Sequence, residues 1–165
     1  MQRTAMTDER FEYEEPLVHL SRDVALLDQI FKDPAVWRFV TDDFFPGRNE
    51  WSTPAKPPFY PLVNQSETAV FLFHPSFQTR IYELHTAALP VARRGLLPES
   101  QAAIRWVFDN TPAIKVQTIV PKDLPHARRL AHRAGFVDEG VLRQSFVRGG
   151  KTLDQWILGI LPGEV

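Results

Sequence analysis

The sequence contains no cysteine. That excludes a disulfide framework, thiolate catalysis and zinc–cysteine sites. Its five histidines are scattered and form no HExxH-type spacing, so a metal site is not expected. No apolar run approaches the roughly 18 residues of a membrane span. The polar start "MQRTAMTDERF" lacks the hydrophobic centre of a secretory signal, so an intracellular, soluble protein is expected. Repeats and low-complexity tracts are also missing. What is present is 165 residues, 44% hydrophobic and 12% aromatic, enough for one core, and the expectation is a single domain over residues 1–165.

The net charge of −1 conceals an asymmetry. Residues 1–50 hold eleven acidic against six basic side chains, whereas residues 91–133 hold eight basic against three acidic. The second half is suited to an anion. Nucleic acid is the weaker choice, because these charges spread over two helices and a strand without interleaved aromatics or a nucleic-acid motif.

Periodicity divides the chain into an irregular front and a regular back. "SRDVALLDQIF" (21–31) has helical spacing, and Asp33-Pro34 reads as cap and first residue of a second short helix. Residues 42–59, rich in proline and glycine yet aromatic, read as an ordered loop that covers something. Strands are expected at 68–74 and 80–89, forming a hairpin, and at 114–120. Helices are expected at 98–110 and after Asp123, which is placed to cap the second, with Gly135 closing it. "GVLRQSFV" and "KTLDQWILGI" form a last hairpin through Gly149-Gly150. The order is that of an α+β (mixed α/β) domain with about four helices.

The segments "ELHTAALPVARRG", "AAIRWVFDNTPAIKVQTIVP", "RRLAHRAGF", "EGVLRQSF" and "DQWILGI" resemble the GCN5-related N-acetyltransferase (GNAT) superfamily, and more closely its bacteriophage-associated branch. The resemblance covers about residues 68–160. It implies a GNAT-like fold: a central, mostly antiparallel twisted sheet with one parallel, splayed strand pair. It also implies transfer of an acetyl group from acetyl-CoA to an amine of a peptide or small molecule. Its phage branch offers an alternative, a non-catalytic structural or head-assembly protein with a degenerate CoA site, located in a bacterial host cell or virion and partnered by phage structural proteins.

The resemblance places the cofactor's pyrophosphate on Arg93, Arg94, Gly95, Leu96 and Leu97, at a helix mouth whose free amides and partial positive charge favour phosphate. Lys122, Arg128 and Arg129 are the expected contacts for the 3′-phosphate or adenine side. Ala92 and Leu97 depart from the family pattern, Pro98 removes one amide, and Glu99 sets a carboxylate near the mouth. Ala131 stands where a tyrosine often serves as general acid, and Leu124 or a neighbour where asparagine is frequent. For the base, Glu83 and His85 lie two apart on one strand and share a face, as catalytic residues or as an ordinary polar pair. Ser145 and Tyr82 are weaker candidates, and His126 and His132 are read as surface residues. The four tryptophans are read as core or interface anchors.

Overall fold

The computed structural model describes residues 14–165; the polar start read above, residues 1–11, lies outside them. Two short helices come first. In α1 (Val24–Phe31) Asp23 is the cap and accepts hydrogen bonds from the amides of Ala25 and Leu26, at 3.0 and 3.2 Å. In α2 (Pro34–Val40) Asp33 accepts from Ala35 N at 2.7 Å, with Pro34 at the first position where its missing N–H costs nothing.

The sheet has seven strands in the order β1 (Val18–Leu20), β2 (Tyr60–Asn64), β3 (Ala69–Pro75), β4 (Ile81–Ala88), β5 (Lys115–Pro121), β7 (Lys151–Ile160) and β6 (Val137–Arg148). Every neighbouring pair is antiparallel except β4 and β5. The fifteen-residue helix α3 (Leu96–Asn110) is the crossover that this parallel pair requires. The last helix, α4 (Pro125–Ala134), returns the chain from β5 to β6. No helix among the described residues is long and apolar enough to cross a membrane.

Strand β3 reads as a continuous apolar run because both of its faces are covered. Phe71 and Phe73 point into the core shared with Ile104 and Val107 of α3. Val70 and Leu72 point the other way, into a second core with Leu27, Ile30 and Val36 of α1 and α2. On β4 the same alternation sends Tyr82 and Leu84 toward α3 and Ala87 toward α1 and α2. Glu83 and His85, in phase with Ala87, therefore share the α1/α2 face of the sheet.

The expected β3/β4 hairpin, the strand at 115–121 and the closing hairpin through Gly149 and Gly150, at φ 59° and 71°, are present. Gly135 ends α4 at φ 113°, where a Cβ would stand 2.7 Å from Glu164 O. Three readings are corrected. Strands β1 and β2 were not foreseen, since β2 is five residues with Pro61 inside it, a residue that ordinarily argues against a strand. Helix α3 begins at Leu96, two residues before the expected start, with Gly95 as its cap. Asp123 does not cap α4, because Arg148 takes its carboxylate and Leu124 stands at the cap position without a side-chain bond.

The aromatic loop 42–59 is ordered, and what it covers is the pair α1/α2. Trp51 packs edge-on against Phe31 and Trp37, at 5.5 and 5.8 Å between ring centroids, with Phe45 closing the group. Asp28 anchors this loop to α1 by accepting from the amide and hydroxyl of buried Thr53, at 2.8 and 2.7 Å, and from Lys32 Nζ at 2.8 Å. Burial pushes the Asp28 carboxyl up, but these donors outweigh it and hold the group below its ordinary value of 3.8. Asp28→Ala leaves the Thr53 donors unpaired and is expected to cost about 1–3 kcal/mol in chemical denaturation. A depressed carboxyl stabilises above its ordinary value and loses that contribution as the pH falls through the lower folded value. Asp28→Asn should therefore flatten the acid limb of the stability–pH curve below about pH 4.

Candidate functional site

Strands β4 and β5 pair for three positions, Ile81 with Lys115, Tyr82 with Val116 and Glu83 with Gln117, and then part. Each keeps its outer partner: β4 continues along β3 to Ala88, and β5 continues along β7 to Pro121. At the point of parting, the Thr118 hydroxyl donates to Leu84 O at 3.1 Å, so a side chain satisfies a carbonyl that the ladder has abandoned. Beyond it opens a cleft of about 740 Å³, walled by α2 (Val36, Phe39), α3 (Leu96, Ser100) and α4 (Ala127, Leu130).

The mouth of α3 faces this opening. Gly95 caps the helix without a side-chain bond, so the amides of Leu96 and Leu97 have no partner within the helix. A Cβ built on Gly95 meets nothing within 4 Å, so the approach is clear of protein. Pro98 occupies the third position, where its missing N–H breaks no helical bond. Glu99 is turned aside, because its Oε1 accepts at 3.1 Å from Nδ2 of buried Asn64, the last residue of β2. The carboxylate expected to repel an anion at the mouth is thus engaged by a donor elsewhere.

Of the cationic candidates, Arg93 and Arg129 line the cleft. Arg93 donates to Ala35 O at 2.7 Å and Ala88 O at 3.3 Å and lies 5.5 Å from the Phe39 ring, so it braces the mouth loop against α2. Arg94, Gly95 and half-buried Leu97 adjoin it at the surface. Lys122 and Arg128 are not brought to the cleft: Lys122 pairs with Asp154 at 3.2 Å, and Arg128 pairs with Asp138 while its guanidinium lies 4.7 Å from the Trp156 ring centre. Tyr82 is buried under α3, and the Ser145 hydroxyl donates to Leu142 O. Ala131 lines the cleft and offers no proton. His126 also lines it, and His132 pairs with Asp138.

Glu83 and His85 both line the cleft, with His85 Nε2 3.3 Å from Glu83 Oε1. The register adds a residue that the sequence reading passed over. His74 on β3 lies directly opposite Glu83, and its Nε2 stands 3.0 Å from His85 Nε2. His74 Nδ1 is 3.0 Å from Pro75 O. A carbonyl only accepts, so Nδ1 carries the proton, the neutral ring's Nε2 is bare, and His85 Nε2–H donates to it. His85 Nδ1 is then left with the free lone pair.

His85 sits on the cleft floor, ringed by protein atoms while 46% of its side chain still meets the solvent of the cleft. That enclosure pulls its pKa below the ordinary 6.5; the Glu83 carboxylate opposes the effect and His74 adds to it. The ring is thus held neutral, as a base must be before it takes a proton.

No protein-family model matches the chain, and no curated protein sequence matches it. Solved structures do. The spermidine N-acetyltransferase of Vibrio cholerae in complex with CoA and spermine superposes over 91% of this chain and 98% of its own, with TM-score 0.70 and 14% identity. A chimera of the Vibrio cholerae spermidine N-acetyltransferase matches over 89% and 96%, with TM-score 0.71 and 18% identity. A GNAT-family acetyltransferase from Bacillus anthracis matches over 64% and 67%, with TM-score 0.56 and 19% identity. The fold is that of the GNAT acetyltransferases. The mixed α+β order, the mostly antiparallel seven-stranded sheet with its one parallel pair, and the four α-helices, all among the described residues, agree with the expectation from sequence.

Thr118→Val keeps the shape of this residue and deletes the donor to Leu84 O. It is expected to cost about 1 kcal/mol in denaturant unfolding, while Thr118→Ser stays near the parent.

Proposed function

We propose that this protein is an acetyltransferase that takes acetyl-CoA into the β4/β5 cleft and passes the acetyl group to an amine of a peptide or small molecule. The carrying observation is the continuity of one cleft, from the N-terminus of α3, which no side chain caps, through the gap where β4 leaves β5, to Glu83 and His85. The donor set suits the cofactor: amides of Leu96 and Leu97 and the positive end of α3 for the pyrophosphate, Arg94 and Gly95 alongside them, and Arg93 and Arg129 at the cleft wall. Lys122 and Arg128 reach the 3′-phosphate side only by leaving their aspartate partners.

When bound, the cofactor supplies an acetyl group activated as a thioester. The chain's own task is to hold the acceptor amine free of its extra proton. His85 Nδ1 accepts that proton, and the imidazolium formed is stabilised by Glu83 Oε1 and the bare Nε2 of His74 around its Nε2–H. Ala131 leaves the departing thiolate to be protonated from solvent. The bracing of Arg93 against α2 keeps the roof of the cleft over this floor.

Ala131, which offers no proton, suits a second reading as well: a non-catalytic protein of the same fold, for which the phage-branch resemblance suggests head assembly. Acetyl-CoA separates the two in the presence of chelator. At about one hundred times its dissociation constant a ligand stabilises the fold by about 2.7 kcal/mol, read as a rise in Tm. Gly95→Val should fold normally, since its Cβ meets no protein atom, and should abolish the rise by obstructing the phosphates. Glu83→Gln should keep the rise and lower acetyl transfer to amines by about 10²-fold. A parent protein whose Tm does not respond to acetyl-CoA overturns the enzyme reading in favour of the assembly one.

A further inference from the structure

The floor of the cleft joins three ligating groups that the sequence keeps apart. Nε2 of His74, Nε2 of His85 and a carboxylate oxygen of Glu83 all lie within 4.8 Å of one another. Adjacent separations are 3.0 and 3.3 Å, and both contacts fall on the same atom, His85 Nε2. One N–H at that atom satisfies either the bare His74 nitrogen or the carboxylate, but not both fully. A cation placed among them satisfies all three at once.

We propose that His74, Glu83 and His85 form a site for a divalent transition-metal ion of the zinc type, and that loading it turns acetyl transfer off. The donor set of two imidazoles and a carboxylate is one that zinc takes with a fourth position left open. Tetrahedral zinc with Zn–N of about 2.0–2.1 Å holds its nitrogens about 3.3 Å apart, close to the spacing here. The two rings are almost parallel, at 11°, with centroids 5.1 Å apart, so they meet edge to edge and need a rotation about their side-chain bonds to aim both lone pairs at the ion.

The outer contacts hold His74 ready. Its Nδ1–H bond to Pro75 O fixes the tautomer that presents Nε2 to the metal, the usual way a ligand imidazole is oriented. Phe59 packs against the ring at 5.3 Å between centroids. Glu83 and His85 keep 20% and 46% of their side chains exposed, so an ion can enter from the cleft.

The regulatory half rests on the acetyltransferase reading. Metal at His85 Nε2 requires that nitrogen to be bare, so the proton moves to Nδ1 and the proposed base is lost. No bond to carbon forms or breaks; the exchange is one proton between the two nitrogens of one ring.

Chelator-stripped protein titrated with Co²⁺ should develop the visible absorption of a low-coordinate cobalt site at one ion per chain, bleached by equimolar Zn²⁺. His74→Ala, and independently His85→Ala at its half-exposed position, should each weaken binding at least ten-fold, and Glu83→Gln should weaken it too, with unchanged circular dichroism. His132→Ala, on α4 beside Asp138, should bind like the parent. Absence of the absorption, or binding that survives His74→Ala and His85→Ala, overturns the site. A site that loads without slowing acetyl transfer stands as a metal site and overturns its regulatory role together with the assignment of His85 as base. Transfer in chelator, tested separately, decides the enzyme reading.

Discussion

The interaction on which the rest depends is the parallel pairing of β4 with β5, and in particular its length. Three matched positions are enough to keep the sheet continuous, and the divergence beyond them is what makes a cleft. Each strand stays fully paired on its outer side, to β3 and to β7, so the divergence does not cost the sheet its integrity. The backbone polar groups facing the gap are the part left over. Thr118 satisfies one carbonyl at the branch point, and the others face the cleft, where a ligand or water can meet them.

The chemistry of the cleft floor follows from where an apolar face ends. Val70 and Leu72 on β3, and Ala87 on β4, are buried under α1 and α2. Two residues further along the same faces stand His74 on β3 and His85 on β4, and two beyond His85 stands Glu83, at the margin of that cover. Burial enough to press His85 toward neutrality, with one open side, is the condition of a margin and not of a core or a surface. The helices above it are themselves held down by the aromatic loop, through Trp51 and the Asp28–Thr53 bonds. At the other end of the loop segment, Asp43 accepts from the amides of Gly149 and Gly150 in the β6/β7 turn. The roof of the cleft is thus tied both to α1 and to the far edge of the sheet.

Charges distribute in a way that the net count does not reveal. The basic second half of the sequence divides in space: Arg128 and Lys122 turn to aspartates on β6 and β7, while Arg93 and Arg129 border the cleft. Glu99, read along the chain as an obstacle to an anion, is drawn to Asn64 instead. Proximity in sequence to a helix mouth does not decide which way a long side chain turns; the nearest unmet donor does.

Local pattern alone determined much of this protein. Asp23, Asp33 with Pro34, Gly135 and the Gly149-Gly150 turn announce element boundaries, because caps and left-handed turns are satisfied within a few residues of chain. Alternation and helical spacing placed β3, β4, β5, α3 and α4, and with them the pairing of Glu83 and His85 on one face. Strand β2 stayed hidden, since five residues around Pro61 carry no local strand signal and are held in place by β1 and β3 on either side. His74 stayed hidden for a different reason: its position opposite Glu83 is a matter of β3/β4 register, a contact across the hairpin. Where Arg128 and Asp123 would spend their charges was likewise beyond the sequence, because their partners, Asp138 and Arg148, reach them only through β6. Short-range hydrogen bonding is written in neighbours and can be read there; register, strand divergence and the choice among ion-pair partners come from distant segments packing together, and only the folded chain decides them.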